Sequence, residues 1–276
     1  MVSVKVAAIA GVGAVFATFA NAADMPTLPP VSVPPIEQAP GWYLRGDIGM
    51  TNQSVDKMHQ PFEDVISETF DYKSKSFDSS WLFGLGIGYQ FNNWLRFDVT
   101  GEYRSRANLH ATAFGNAGSI DDFHGSKSEF TALANVYADL GTWYSVTPFI
   151  GAGIGASYNF IHDFYDTCAA AACAGQITAL ADGTGAKWNF AWALHAGLAY
   201  QVTPGFSIEL AYRYIDLGDA ESGYFHNVNP ALSVAPGPFQ FKDLTSHDLK
   251  FGVRWLLDPP VMQMGPVTLP PLMRRG

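Results

Sequence analysis

Residues 188–200 read Trp188-Asn189-Phe190-Ala191-Trp192-Ala193-Leu194-His195-Ala196-Gly197-Leu198-Ala199-Tyr200. Trp188, Phe190, Trp192, Leu194, Ala196, Leu198 and Tyr200 share one parity, and the residues between them are small or polar. Side chains alternate across an extended chain, so this is a β-strand with one large apolar face and one small or polar face. Residues 81–91 repeat the pattern, with Trp81, Phe83, Leu85, Ile87, Tyr89 and Phe91 set against Leu82, Gly84, Gly86, Gly88 and Gln90. Leu249, Phe251, Val253 and Trp255 repeat it again against Asp248, Lys250, Gly252 and Arg254. A soluble sandwich would alternate in the same way.

Length and connection separate the two. The segments predicted as strands are 41–52, 79–91, 94–112, 128–141, 146–161, 187–202, 206–220 and 246–257. All run past ten residues, as a tilted membrane strand requires, whereas soluble strands usually stop at five or six. Asn92-Asn93, Gly141 to Ser145 and Thr203-Pro204-Gly205 make short turns, and 53–78, 113–127, 162–186 and 221–245 make long loops. Short and long connections in strict alternation are the plan of an outer-membrane barrel. The expected fold is all-β, an eight-stranded antiparallel transmembrane β-barrel. Trp42, Phe91, Trp94, Trp143, Tyr144, Tyr200, Phe206 and Trp255 gather near the short turns, and Trp81, Tyr103, Tyr158, Trp188 and Tyr214 lie toward the other side. Two such rings of aromatics mark the two membrane interfaces.

The ends fit an exported protein. Residues 1–22 carry one charge at Lys5, an apolar stretch from Val6 to Phe19, and Ala20-Asn21-Ala22, the small-x-small pattern of a signal-peptide cleavage site. A membrane anchor is the alternative, but the apolar stretch is short and prolines follow it. Cleavage would leave Ala23-Asp24 at the head of a proline-rich periplasmic linker, residues 23–40. The barrel then occupies 41–257, and a second proline-rich segment, 258–276, forms a periplasmic tail. The expected location is the bacterial outer membrane. Charged residues are only 15% of the chain and aromatics 14%, an unusual balance for a soluble domain. The net charge of -9 argues against a nucleic-acid partner.

With the apolar face outward, the lumen receives Arg45, Asp47, Arg96, Asp98, Glu102, Arg104, Asp139, Glu209, Arg213, Lys250 and Arg254. These nearly balanced charges should pair, because unpaired buried charge is expensive, and eight strands leave room only for side chains. A salt-bridged plug is expected. Gly84-Leu85-Gly86-Ile87-Gly88 and Gly151-Ala152-Gly153-Ile154-Gly155 resemble phosphate loops only superficially. Glycines at period two share one strand face and precede no helix, so they should make room for long side chains inside. His162-Asp163, Asp122 with His124, and His247-Asp248 are acid–histidine neighbours, but adjacent strand residues point apart, and on loops such pairs are usually solvated side chains. No catalytic residue, cofactor or metal ligand is expected, and His195 should be an interior histidine. Cys168 and Cys173 are the two cysteines, expected as a small-loop disulfide clipping a surface loop rather than as metal ligands.

Gly41-Trp42-Tyr43-Leu44-Arg45-Gly46-Asp47-Ile48-Gly49 resembles the first strand of small alphaproteobacterial outer-membrane proteins of the opacity/porin-like group, with an OmpA-like transmembrane barrel. Residues 147–155 resemble their fifth strand and Ala211-Tyr212-Arg213-Tyr214 their seventh, so the likeness spans most of 41–257. One departure is that Trp255-Leu256-Leu257 is followed by a tail, where such chains commonly end on an aromatic. The resemblance implies envelope integrity and surface contact rather than catalysis. It also implies outer-membrane lipid, lipopolysaccharide and the barrel-assembly machinery as partners. In some members an Ala-Asp start is joined to peptidoglycan through its amine, which would make Ala23 and Asp24 an attachment point. The expected function is a structural envelope barrel, with an adhesin binding host or surface ligands, or a low-conductance porin, as alternatives.

Overall fold

Each short turn closes on its own local signal. Asn92 accepts hydrogen bonds on Oδ1 from the amides of Trp94 and Leu95, at 3.0 and 2.8 Å, and reverses the chain between two strands. In the next short turn Gly141 takes φ +109°, and Trp143 bridges back to Val146. The computed structural model describes residues 40–60, 69–116, 118–169, 175–228 and 237–257. All lie in the unit Ile36–Gly276. Ala23, Asp24, Cys173 and the two proline-rich ends lie outside the described residues, apart from Pro40 at the end of the linker.

Among the described residues ten strands form: β1 (Gly41–His59), β2 (Phe70–Phe77), β3 (Ser80–Gln90), β4 (Leu95–Gly115), β5 (Ile120–Asp139), β6 (Val146–Cys168), β7 (Ile177–Asp182), β8 (Gly185–Thr203), β9 (Phe206–Asn227) and β10 (Gly237–Leu256). Eight of them make a closed antiparallel ring, β1-β3-β4-β5-β6-β8-β9-β10, with β10 pairing back to β1 from Tyr43↔Leu256 to His59↔Gln240. Closure leaves this ring no free edge. The two extra strands continue staves of the same barrel. β2 precedes β3 across Asp78-Ser79 and pairs the far end of β4, while β7 precedes β8 across Gly183-Thr184 and pairs β6 and β9.

The outward face is apolar, with Leu85 74% exposed and Trp81, Phe83, Ile87, Phe190, Leu198, Phe251 and Trp255 also exposed. In water so much exposed apolar surface would be a liability, whereas against lipid it is required. The girdle near the short turns includes Trp42, Trp94, Trp143 and Trp255. The second includes Trp81, Tyr103 and Trp188, with Tyr158 stacked on Trp188 at 4.4 Å. It falls partway along the strands rather than at their ends.

The long connections are therefore shorter than the sequence suggests. Strands predicted to end at 52, 161 and 220 continue to His59, Cys168 and Asn227, and strands predicted to begin at 128 and 246 begin at Ile120 and Gly237. At one level the alternation slips. Two consecutive residues, not one, stand between successive inward residues at Asp56-Lys57, Asp78-Ser79, Ser105-Arg106, His162-Asp163, Gly218-Asp219 and Lys242-Asp243. These are β-bulges or bends, with register shifts at Arg104/Ala107 and Phe241/Leu244 and positive φ at Asp163, Gly218 and Asp243. Neighbouring slips meet across the ladder, as at Leu244↔Gly218, and together they form a belt around the barrel. Beyond it the interior becomes aromatic. Phe164 packs on Phe239 at 4.9 Å, on Phe225 and Phe241 at 5.3 Å, and on Phe123 at 5.9 Å. We call this outer region the cap.

Candidate functional site

Below the belt the interior holds, among the described residues, seven buried cations (Arg45, Arg96, Arg104, Lys127, Arg213, Lys250, Arg254) and seven buried acids (Asp47, Asp98, Glu102, Glu129, Asp139, Glu209, Asp248). Strand parity aims them inward, and the closed ring brings distant strands within reach of one another. Arg45 on β1 meets Asp98 at 2.7 Å, Asp47 at 2.9 Å and Glu209 at 3.4 Å. Glu209 also faces Arg96 at 3.3 Å and Arg254 at 3.0 Å, and Arg96 reaches Asp139 at 3.1 Å. The Arg96 guanidinium sits over the rings of Tyr137 and Phe149, 4.3 and 4.6 Å from their centroids.

A second cluster lies nearer the belt. Arg213 joins Glu102 and Asp248, each at 2.7 Å, and Lys250 joins Glu102 at 2.6 Å and Asp47 at 3.4 Å. Arg104 bridges Asp248 at 2.8 Å and Glu129 at 3.0 Å, and Lys127 pairs with Glu129 and donates to Gln53 Oε1 at 2.9 Å. Removing one partner from such a buried pair strands the other, at a cost of about 3–5 kcal/mol.

All eleven residues that the alternation assigns to the lumen are buried and ion-paired here. The sequence reading does not single out Lys127, Glu129 and Asp248. Lys127 falls in a stretch read as loop. Glu129 and Asp248 sit at inward parity opposite Phe130 and Leu249, a signal that was available. The glycines give these side chains room. A Cβ on Gly84 would come within 2.9 Å of Glu102 Cγ, and one on Gly88 within 2.3 Å of the Tyr43 ring. His195 is buried, its Nε2 3.2 Å from Asn135 Oδ1.

The acid–histidine neighbours engage other groups. His162 binds the hydroxyls of Ser128 and Thr184, Asp163 pairs with Arg106, Asp122 accepts from Thr112, and His247 meets the Tyr212 hydroxyl. Cys168, at the outer end of β6, is disulfide-bonded. Near it Asp166 is buried, and that burial, with Asp121 and Asp122 close by, pushes its carboxyl up to about 7 against a hydrogen bond from Thr178.

The family described as "Outer membrane protein beta-barrel domain" matches residues 10–255. The chain belongs to that family. The protein is an integral protein of the outer membrane. It is similar to an uncharacterized protein of Brucella abortus (strain 2308), 32% identical over 86% of this chain and 92% of the relative. A protein of Rickettsia prowazekii (strain Madrid E) named "Putative adhesin" is 28% identical over 78% of this chain and 86% of that relative. Among solved structures, Neisserial surface protein A matches 79% of this chain and 99% of its own at 16% identity, with a TM-score of 0.47.

Proposed function

We propose that this barrel is a closed, non-conducting structural element of the envelope, maintaining the integrity of the outer membrane. The observation that carries the reading is the filled interior. Ion pairs occupy the membrane-spanning part and the aromatic cluster around Phe164 fills the cap, in series. An eight-stranded ring has no width to spare for a water column beside them. Catalysis is not part of this reading. The test is planar-bilayer recording of the refolded barrel, with folding checked by the mobility difference between boiled and unboiled samples. Rare, low-conductance events at most are expected, and a steady large conductance would overturn the reading in favour of a porin.

Peptidoglycan attachment through Ala23 belongs to the same proposal. A linker of residues 23–40 in polyproline form, at about 3.1 Å per residue, reaches roughly 50 Å toward the cell wall. Mass spectrometry of digested cell walls should find a muropeptide on Ala23. A free amine there, with no protein retained on walls, would remove the tether and leave the barrel.

A second reading, surface adhesion, is favoured by the cap. Its paired strands stand beyond the outer girdle on a packed aromatic core, a rigid platform for exposed Lys73, Arg106 and Asp163. The Rickettsia relative's name points the same way. Cells displaying the barrel should attach to host surfaces and lose attachment when exterior cap residues are changed. Equal attachment with and without the barrel would exclude it.

A further inference from the structure

The chain has seven histidines. Four are hydrogen-bonded or ion-paired, His162 with Ser128 and Thr184, His195 with Asn135, His247 with Tyr212 and His226 with Asp182, and His59 makes an interaction of its own. Among the described residues His110 and His124 make ring contacts only, and they face each other. They are direct cross-strand partners between β4 and β5, with ring centroids 5.8 Å apart. Both lie on the outside of the cap, beyond the belt, in a groove of ≈ 330 Å³. Tyr165, the next partner across the ladder, stacks on His124 at 5.1 Å.

Directly opposed residues of an antiparallel ladder hold their Cβ atoms about 4.5–5.5 Å apart. Two imidazoles on such a pair can turn one nitrogen each onto a common ion about 2.0–2.1 Å from both. Imidazole suits zinc and copper, and copper(II) leads the divalent series in affinity. We propose that His110 and His124 form a two-imidazole site for zinc or copper(II) on the outer face of the cap. Among the described residues no three His, Cys, Asp or Glu side chains converge as a metal cage, so the site rests on this pair. The remaining coordination positions open to the groove, where water or a donor from a partner completes the shell. Asp122, two residues from His124 on the same strand and held by Thr112 at 2.7 Å, adds negative charge nearby. Arg106, which lines the same groove, is paired with Asp163 at 3.3 Å. A bound ion would tie β4 to β5 just outside the belt.

The test uses the full, untagged chain folded in detergent, titrated calorimetrically with zinc chloride and followed with copper(II) by electron paramagnetic resonance. One ion per chain and a two-nitrogen copper spectrum are expected. Loss of an outer-shell partner alone weakens metal sites about 10–100-fold, so His110→Gln or His124→Gln should cost at least about tenfold. His247→Gln should change nothing. Gel mobility before and after boiling shows that each variant is folded. Two outcomes overturn the site: unchanged affinity in both variants, or a wild-type copper spectrum without two coordinating nitrogens.

Discussion

At Asp166 the cap carries a cost that depends on pH. Its carboxyl sits in the interior near the cap's outer end, raised to about 7 chiefly by burial, with Asp121 and Asp122 adding to the effect. In the unfolded chain an aspartate titrates near 4. Between those values the folded state holds a proton that the unfolded state has released, so stability falls as pH rises across this window. The folded cap should therefore be more stable near pH 5 than near pH 8, by at most a few kcal/mol. Asp166→Asn should flatten the dependence and raise stability at pH 8. Hydrogen exchange of cap amides at the two pH values, in wild type and variant, reads this directly. A wild-type cap equally protected at both would refute it. Nothing in the sequence announces this carboxyl, because β6 changes phase at His162-Asp163 and parity no longer says which way residue 166 points. Below that slip the eleven inward residues from Arg45 to Arg254 that the alternation assigns were legible one by one, since period two fixes their face and lipid forbids the other, whereas Lys127 fell in a stretch read as loop. Which acid meets which base depends on ring closure and stagger, and those are not written in any one strand.

Apart from β4, which the alternation carries through the belt to residue 112, the strands were legible only as far as the belt. A reader of alternation sees the pattern fail at Asp56-Lys57 or Lys242-Asp243 and infers a loop, although the backbone continues as a bulged ladder. On β4 the extra residue lies between Arg104 and Ala107, both buried. Deleting Ser105 should therefore straighten the strand and leave every residue on its present face, so that the variant folds and shows the mobility shift on boiling. Deleting Val99 from the regular part of the same strand shifts the phase with no bulge to absorb it. Either Arg96 and Asp98 or Glu102 and Arg104 would then turn toward lipid, where each Arg costs about 2–4 kcal/mol near the midplane. That variant should fail to fold. If both deletions behave alike, the belt has no role in setting phase.

On the proposed reading the barrel is sealed twice, by different physics at different heights. In the cap the seal is aromatic packing, which depends on volume. Across the membrane it is a set of ion pairs between strands that ring closure brings together, such as Arg213 with Glu102 and Arg45 with Glu209. The two are distinguishable because only the first rests on Phe side chains. Truncating Phe164 and Phe239 to Ala removes rings that touch at 4.9 Å, at about 3–5 kcal/mol for each buried ring lost. The cap should loosen, and added protease should cut it within the strand segments beyond the belt, while the membrane-spanning ring below stays intact. Opening the cap leaves the charged layer in place, and buried pairs are little screened by salt. Planar-bilayer recordings of this double variant should therefore stay silent at both low and high ionic strength. Steady current through it would mean that the aromatic cap is the sole seal and that the charged interior below is wide enough to pass ions.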